Sequence, residues 1–302
     1  MRELVVLGTA AQAPTRTRNH NGYLLRWDED GFLFDPGEGT QRQMVHAGVP
    51  ASAITRICLT HTHGDHCLGV PGVVQRMGLD GLHRTVPLHY PADGAPQVNA
   101  LLSASSYVPL TTIERCPLSA DGPVAQGKDW TLSVAALEHR IAAFGYRVQE
   151  PDGVRMLPER LEAHGVRGPD VGRLIRERSL QVDGRTVRVD QVSEPRPGQG
   201  FALIMDTRMC DAAVALSRDV DLLVCESTFL DRDADLADKY AHLTAGQAGL
   251  LAREAGVRRL VLTHFSQRYG DDATPFLHEA GAVFDDVVVA QDLQRIALPR
   301  RR

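Results

Sequence analysis

Thr60-His61-Thr62-His63-Gly64-Asp65-His66 is the stretch on which the fold turns. Three imidazoles and one carboxylate fall within six residues, directly after the strand-like run 54–59. In extended backbone alternate side chains share a side, which puts His61 with His63. Gly64 permits a tight turn, so Asp65 and His66 face the first pair from the start of a helix. Nitrogen and oxygen donors of this kind suit Zn²⁺, with Mn²⁺ as the rival. A run of surface histidines is the competing reading, but four candidate ligands at a strand end make the pattern of a metal site. They are too many for one structural ion and too few for two closed sites. Further ligands must come from elsewhere in the chain.

The same pattern of a strand followed by an ionisable residue recurs along the sequence. Run 130–137 leads to His139, run 201–204 to Asp206, run 221–224 to Glu226 and run 259–262 to His264. A lone strand-end histidine is usually a hydrogen-bonded surface group. Recurrence makes His139, Asp206 and His264 the candidates for the missing ligands. Upstream, run 4–7 ends at Gly8, and runs 23–27 and 32–34 flank a turn and read as a hairpin. Residues 38–47 look helical. Residues 244–255 have helical spacing, with Thr244 as N-cap and Gln247 three residues on. Strands alternating with helices predict an α/β fold whose polar residues gather beyond the strands' C-terminal ends.

Composition sets the bounds. A chain of 302 residues, 43% hydrophobic and 24% charged, can bury a large core. That excludes a disordered chain, a collagen and a disulfide mini-protein. Five cysteines with no C-x-x-C pair read as buried free thiols. No apolar run approaches a membrane span and no signal peptide is visible, so a soluble cytoplasmic protein with no membrane partner is expected. Net charge is −5, yet residues 140–190 hold ten arginines against eight acids. Between 145 and 200 the strand–helix rhythm breaks, with Gly168-Pro169, Gly172 and Pro195-Arg196-Pro197-Gly198 as punctuation. This segment reads as an insertion protruding from the body, and a long insertion of this kind tends to be a binding element.

His61-x-His63-x-Asp65-His66, with His139, Asp206 and His264 in that order, resembles the metallo-β-lactamase superfamily. Order and spacing are most similar to the ribonuclease Z family, endoribonucleases that trim tRNA 3′ trailers. Further matching segments are Gly8-Thr9, Pro14-Thr15-Arg16-Thr17-Arg18-Asn19, Phe34-Asp35-x-Gly37-Glu38-Gly39-Thr40-Gln41, Phe144-Gly145-Tyr146-Arg147, Asp206-Thr207-Arg208 and His264-Phe265-Ser266-x-Arg268-Tyr269. The resemblance covers essentially the whole chain. It departs at Met205, where the family commonly has Gly, and at Cys225, where it usually has His.

The resemblance implies an αββα sandwich spanning 1–302 as a single domain, with a protruding tRNA-binding arm inserted at 148–196. It implies two Zn²⁺ per subunit, with Mn²⁺ possible. His61, His63 and His139 would hold one ion, Asp65, His66 and His264 the other, and Asp206 would bridge them. Two metals can clamp an in-line phosphoryl displacement. Asp65 would orient or deprotonate the attacking water, His242 would protonate the leaving O3′, and Glu226 would hold His242 protonated. Arg16, Arg18, Asn19 and Arg268 would meet the acceptor end. Gly168, Pro169, Arg173 and Arg176 of the arm would meet tRNA by shape. Solvated loops and surface ion pairs are the plainer reading of these last residues. A homodimer acting on a tRNA precursor is expected. Two rivals stand beside this: a dinuclear hydrolase of small phosphodiesters or other substrates, and a metal-stabilised RNA-binding protein without catalysis. The first keeps the ligands, since a fold alone does not select a substrate.

Overall fold

A computed structural model describes residues 2–299. One seven-stranded sheet holds β1 (Arg2–Gly8), β2 (Gly22–Trp27), β3 (Asp30–Phe34), β4 (Arg56–Cys58), β5 (Thr85–Pro91) and β6 (Thr112–Leu118) in that order, with β18 (Arg295–Ala297) outside β1. The second holds β7 (Gly122–Gln126), β8 (Thr131–Leu137), β9 (Ala143–Gln149), β14 (Gly200–Ile204), β15 (Leu222–Glu226), β16 (Leu260–Thr263) and β17 (Val287–Val289). Each sheet is antiparallel at one side and parallel at the other. Strands β3 to β6 run parallel, as do β14 to β17.

Alternation along the strands explains the layering. In β1, Leu4 and Val6 enter the core between the sheets, while Val5 and Leu7 face the other way. In β14, Phe201 and Leu203 point inward and Ala202 and Ile204 outward. Both faces of each sheet therefore need cover. Helices α1 (Thr40–His46), α3 (Val70–Leu79) and α4 (Ala95–Leu102) bury apolar residues against the first sheet. Helices α7 (Asp211–Leu216), α9 (Ala245–Glu254) and α10 (Thr274–Gly281) cover the second. The result is the αββα sandwich that the resemblance implied. Between the sheets Phe34 meets Tyr146 and Phe201, with ring centroids 5.5 and 5.6 Å away.

Helix α9 starts as the sequence predicts. Thr244 Oγ1 accepts from the Gln247 N–H at 3.1 Å, and Gln247 Oε1 accepts from the Thr244 N–H at 2.9 Å. All five cysteines are free, and Cys58, Cys67 and Cys225 are buried. Met205 and Cys225 are fully buried in two different core layers. Among the described residues no helix is long and apolar enough to cross a membrane.

The segment that looked unpatterned is built of regular elements. Strands β10 (Gly153–Met156) and β13 (Ser193–Arg196) pair antiparallel at its base. Beyond them lie α5 (Pro158–Ala163), α6 (Pro169–Glu177) and the hairpin β11 (Ser179–Val182)–β12 (Arg185–Arg188). Val166, Leu174, Leu180, Val187, Val189 and Val192 bury a small core of their own. Strand β9 of the body runs to Gln149, so the inserted elements begin a few residues beyond 148 and end at Arg196.

Candidate metal centre

Each ligand candidate stands where a strand ends. Thr60 to His63 follow β4, and Asp65 and His66 lie on the short helix α2 (Gly64–Cys67). His139 follows β8, Asp206 follows β14 and His264 follows β16. The β4 loop is pinned from the opposite sheet: Phe144 N–H donates to the Thr60 carbonyl at 2.9 Å, and Tyr146 OH to the Leu59 carbonyl at 2.8 Å. Asp35, Asp206 and His264 have positive φ, at 43°, 43° and 63°. Such backbone is costly for residues with a Cβ and marks positions fixed by their surroundings.

Seven side chains converge in two groups. Nitrogen atoms of His61, His63 and His139 gather with a carboxylate oxygen of Asp206, and Asp65 gathers with His66 and His264. His63 Nδ1 is 2.9 Å from His61 Nε2 and 3.3 Å from His139 Nε2. Asp206 stands between the groups. Its Oδ2 lies 3.4 Å from His61 Nε2 and 3.8 Å from His139 Nε2. Its Oδ1 lies 3.2 Å from His264 Nε2 and 3.5 Å from His66 Nε2. Asp65 Oδ2 completes the second group, 3.3 Å from His66 Nε2 and 3.4 Å from His264 Nε2.

The rings are aimed by their other nitrogens. His61 Nδ1 lies 3.0 Å from Thr60 Oγ1, and His66 Nδ1 lies 2.8 Å from Asp35 Oδ2. His139 Nδ1 lies 3.0 Å from the Ala241 carbonyl, and His264 Nδ1 lies 2.6 Å from Thr228 Oγ1. Ligand histidines are typically oriented this way. Asp35 is the chief residue the reading of roles missed. It is fully buried, accepts from Thr60 N–H and Oγ1 at 2.7 Å each, and so braces both groups. Its signal was the one that found Asp206: an acid just past an apolar strand, here Phe32–Phe34. Thr228 left no such signal. Asn21 Nδ2 lies 3.2 Å from His66 Nε2, held by Tyr23 OH, which donates to Asn21 Oδ1 at 2.6 Å.

The electrostatics suit a cation. Burial opposes ionisation of Asp65, yet the neighbouring His66 holds its carboxyl well below the usual range. Asp206 is likewise buried and held low by His264 and His66. Burial and the neighbouring His61 push His63 down to about 4, and burial lowers His139 to about 4. His63 and His139 thus favour the neutral ring and the carboxylates the charged form that a metal requires. Burial opposes charge on His66, but Asp206, Asp65 and Asp35 raise it well above its ordinary value; a bound cation would displace that proton. Asp206 Oδ1 and His264 Nε2 are buried and make no hydrogen bond. Orphaned polar atoms are expensive, and a cation between them removes the cost.

At the edge of the centre, His242 Nδ1 lies 3.1 Å from both oxygens of Glu226. Burial opposes its charge, but Glu226 and Asp206 raise His242 to about 9. Glu226 is fully buried and also accepts from the Thr207 N–H at 2.7 Å. A cavity of about 320 Å³ opens over the centre, lined in part by Asp65, His242, Arg140, Tyr240 and Arg268.

The expected substrate contacts divide. Arg268 is exposed on the cavity wall, 3.5 Å from Asp233. Arg16 is exposed. Arg18 is turned inward instead. Its guanidinium donates to Thr9 Oγ1 at 2.8 Å and sits 4.6 Å over the Phe265 ring. Asn19 donates from Nδ2 to the Glu38 carbonyl at 2.8 Å. These two brace the loop rather than present free donors, while Gln12 and Ala13 of the same loop line the cavity. Gly168, with φ 53°, and Pro169 open α6; Arg173 and Arg176 are exposed on it, Arg173 3.3 Å from Asp170.

A family model, the metallo-β-lactamase superfamily, matches residues 15–147. The chain is 58% identical to a ribonuclease Z of Nocardia farcinica, over 100% of this chain and 99% of that one. It is 55% identical to a ribonuclease Z of Streptomyces coelicolor, over 100% and 99%. Among solved structures, the short form of human tRNase Z aligns with TM-score 0.69 at 24% identity, over 99% of this chain and 100% of that one. The metallo-β-lactamase fold protein YhfI of Bacillus subtilis aligns with TM-score 0.70 at 19% identity, over 97% and 98%. The last two likenesses show the fold, and the first two show more: the chain belongs to the ribonuclease Z family of the metallo-β-lactamase superfamily.

Proposed function

We propose that this chain is a zinc-dependent endoribonuclease that removes 3′ trailers from tRNA precursors, leaving a 3′-OH on the tRNA and a 5′-phosphate on the trailer. The observation that carries it is the bridging place of Asp206, whose two oxygens face two separate ligand groups, with the His242–Glu226 pair beside them. His61, His63 and His139 would hold one Zn²⁺, Asp65, His66 and His264 the other, and Asp206 both; Mn²⁺ is the rival ion. When bound, such a pair activates water and neutralises charge on a phosphodiester.

The protein's own groups do the rest. Asp65 lies on the cavity wall and is ionised, so it can accept a hydrogen bond from the attacking water and orient it. Oxygen from that water bonds to phosphorus as the P–O3′ bond breaks, and the proton it sheds passes by way of Asp65 to solvent, from which His242 is reprotonated for the next turnover. His242, charged at neutral pH and held at Nδ1 by Glu226, gives the O3′ its proton. The inserted segment, with its exposed arginines, would grip tRNA through its backbone. Homodimerisation and cytoplasmic placement rest on family likeness; sedimentation and cell fractionation test them.

The deciding experiment is cleavage of a labelled tRNA precursor with Zn²⁺ or Mn²⁺, with chelator, and with Asp65→Ala. Metal-dependent cutting just after the discriminator nucleotide, lost in the variant, is expected. Hydrolysis of a chromogenic phosphodiester without precursor cutting would return the small-phosphodiester rival. Replacing Gly153–Arg196 by a short turn is expected to weaken precursor binding and spare the chromogenic reaction. Gly153 and Arg196 pair directly, so the cut ends already meet. Loss of both activities would make the segment part of the fold.

A further inference from the structure

Beside the centre lies an aromatic pair that the mechanism above does not use. Phe229, just past β15, is buried, and Tyr240, which ends α8 (Ala234–Tyr240), is half-buried. Their rings are 6.4 Å apart and 11° from parallel. A cation caps each: Arg268 lies 5.5 Å over Phe229, and Arg140 lies 5.6 Å over Tyr240. Lys239 Nζ is 5.5 Å from the Tyr240 ring as well. Both rings and both arginines line the cavity over the centre.

Aromatic faces interleaved with guanidinium groups are what single-stranded nucleic acid uses for docking. The ring takes a base, and the cation takes a phosphate or stacks in turn. A half-exposed tyrosine drawing two cations offers such a face, because a base can replace the cations on the ring and leave them for the backbone. Position decides which base. Tyr240 precedes His242 by two residues, and the Phe229 ring centroid is 6.0 Å from that of His242. If His242 protonates the leaving O3′, the pair flanks the nucleotide that carries this O3′.

We propose that Tyr240, backed by Phe229, stacks the base of the nucleotide immediately 5′ of the scissile phosphate, with Arg140 passing from the ring face to the phosphate backbone. This rests on the endoribonuclease reading. It assigns Tyr240 a substrate-positioning contact that fixes the cleavage register by stacking, so it tolerates any base and fails only where the base is missing.

The test is single-turnover cleavage of a tRNA precursor carrying either a normal or an abasic nucleotide at that position. Wild type, Tyr240→Phe and Tyr240→Leu are compared. The abasic substrate is expected to cost wild type about tenfold or more in kcat/KM. Tyr240→Leu is expected to show a similar loss on the normal substrate and little further loss on the abasic one, while Tyr240→Phe stays near wild type. Penalties that simply multiply would mean a packing role and overturn the proposal. So would wild-type indifference to the abasic site, or coupling to the first trailer nucleotide instead. Should Tyr240→Leu not fold, wild type with abasic sites on either side of the scissile bond decides alone. Failure of wild type to cut the normal precursor would overturn the endoribonuclease reading, and this proposal with it.

Discussion

His242 sits between two carboxylates, and its fate separates a proton donor from a ligand. Replacing it by alanine is expected to lower kcat about 10²–10⁴-fold while elemental analysis finds the metal content unchanged. Loss of metal would make it a ligand, a place open to it because its ring also gathers with Asp206 and His264. Glu226→Gln tests the same proton. Glu226 is the leading charge that raises His242 above its ordinary value. If His242 is the proton donor, as proposed, the reaction needs the protonated ring and activity is expected to fall as pH rises through that value. Removing the carboxylate lowers it, and the alkaline limb of the kcat–pH profile is expected to move toward neutrality; an unmoved limb would assign it to another group. At this scale the sequence was most legible. Four ligand candidates could be picked as a cluster after one strand, and three more because each is a titratable residue just past an apolar run. The supports could not: Thr228 and Asn21 are ordinary polar residues whose importance comes from contacts across long stretches of chain. Arg18 shows the opposite failure, a cation in a polar loop that the fold folds inward onto Phe265.

Among elements, β9 links the core to the centre. Tyr146 is fully buried and its hydroxyl satisfies the Leu59 carbonyl, two residues before His61. Tyr146→Phe leaves that carbonyl unpaired and is expected to cost about 1–3 kcal/mol, read by denaturant titration, together with weaker metal retention. Full stability in the variant would show that water replaces the hydroxyl. At the far end of β9, Glu150 accepts from Arg2 and Arg196 at 2.8 and 3.0 Å, tying β1 to the root of the inserted segment. Burial opposes its charge, but these arginines and the Gln199 N–H hold it at about 2. A depressed carboxylate stabilises the fold above its ordinary value, and that contribution drains as pH falls from about 4.5 to 2. Glu150→Gln is expected to reduce stability at neutral pH, by on the order of 1 kcal/mol, and to flatten this acid limb. The segment beyond Glu150 was poorly legible because its elements are four to nine residues long and its core is six small or branched side chains, too few to impose a period.

In the whole molecule, the sandwich was legible where strands are buried on both faces. Runs such as 201–204 and 260–262 are continuously apolar because helices cover one side and the opposite sheet covers the other. Residues 85–126 gave no comparable signal. Strands β6 and β7 lie at the sheet edges and are largely open to solvent, so nothing forces an apolar pattern on them. The pairing of β1 with β18 also has a meaning in time. The ribosome makes Arg2–Gly8 long before Arg295–Ala297, so the first sheet keeps a raw edge while translation proceeds. His66 emerges nearly two hundred residues ahead of His264, a lag of roughly 10–40 s at usual synthesis rates. When His66 emerges the nascent chain holds four of the seven ligand candidates; His139 and Asp206 join during the lag and His264 closes it. Ion loading is thus expected only once His264 has been made. Stalled chains ending before His264 are expected to retain no stoichiometric pair of zinc ions after desalting, and retention of a full pair would show that the six earlier candidates suffice.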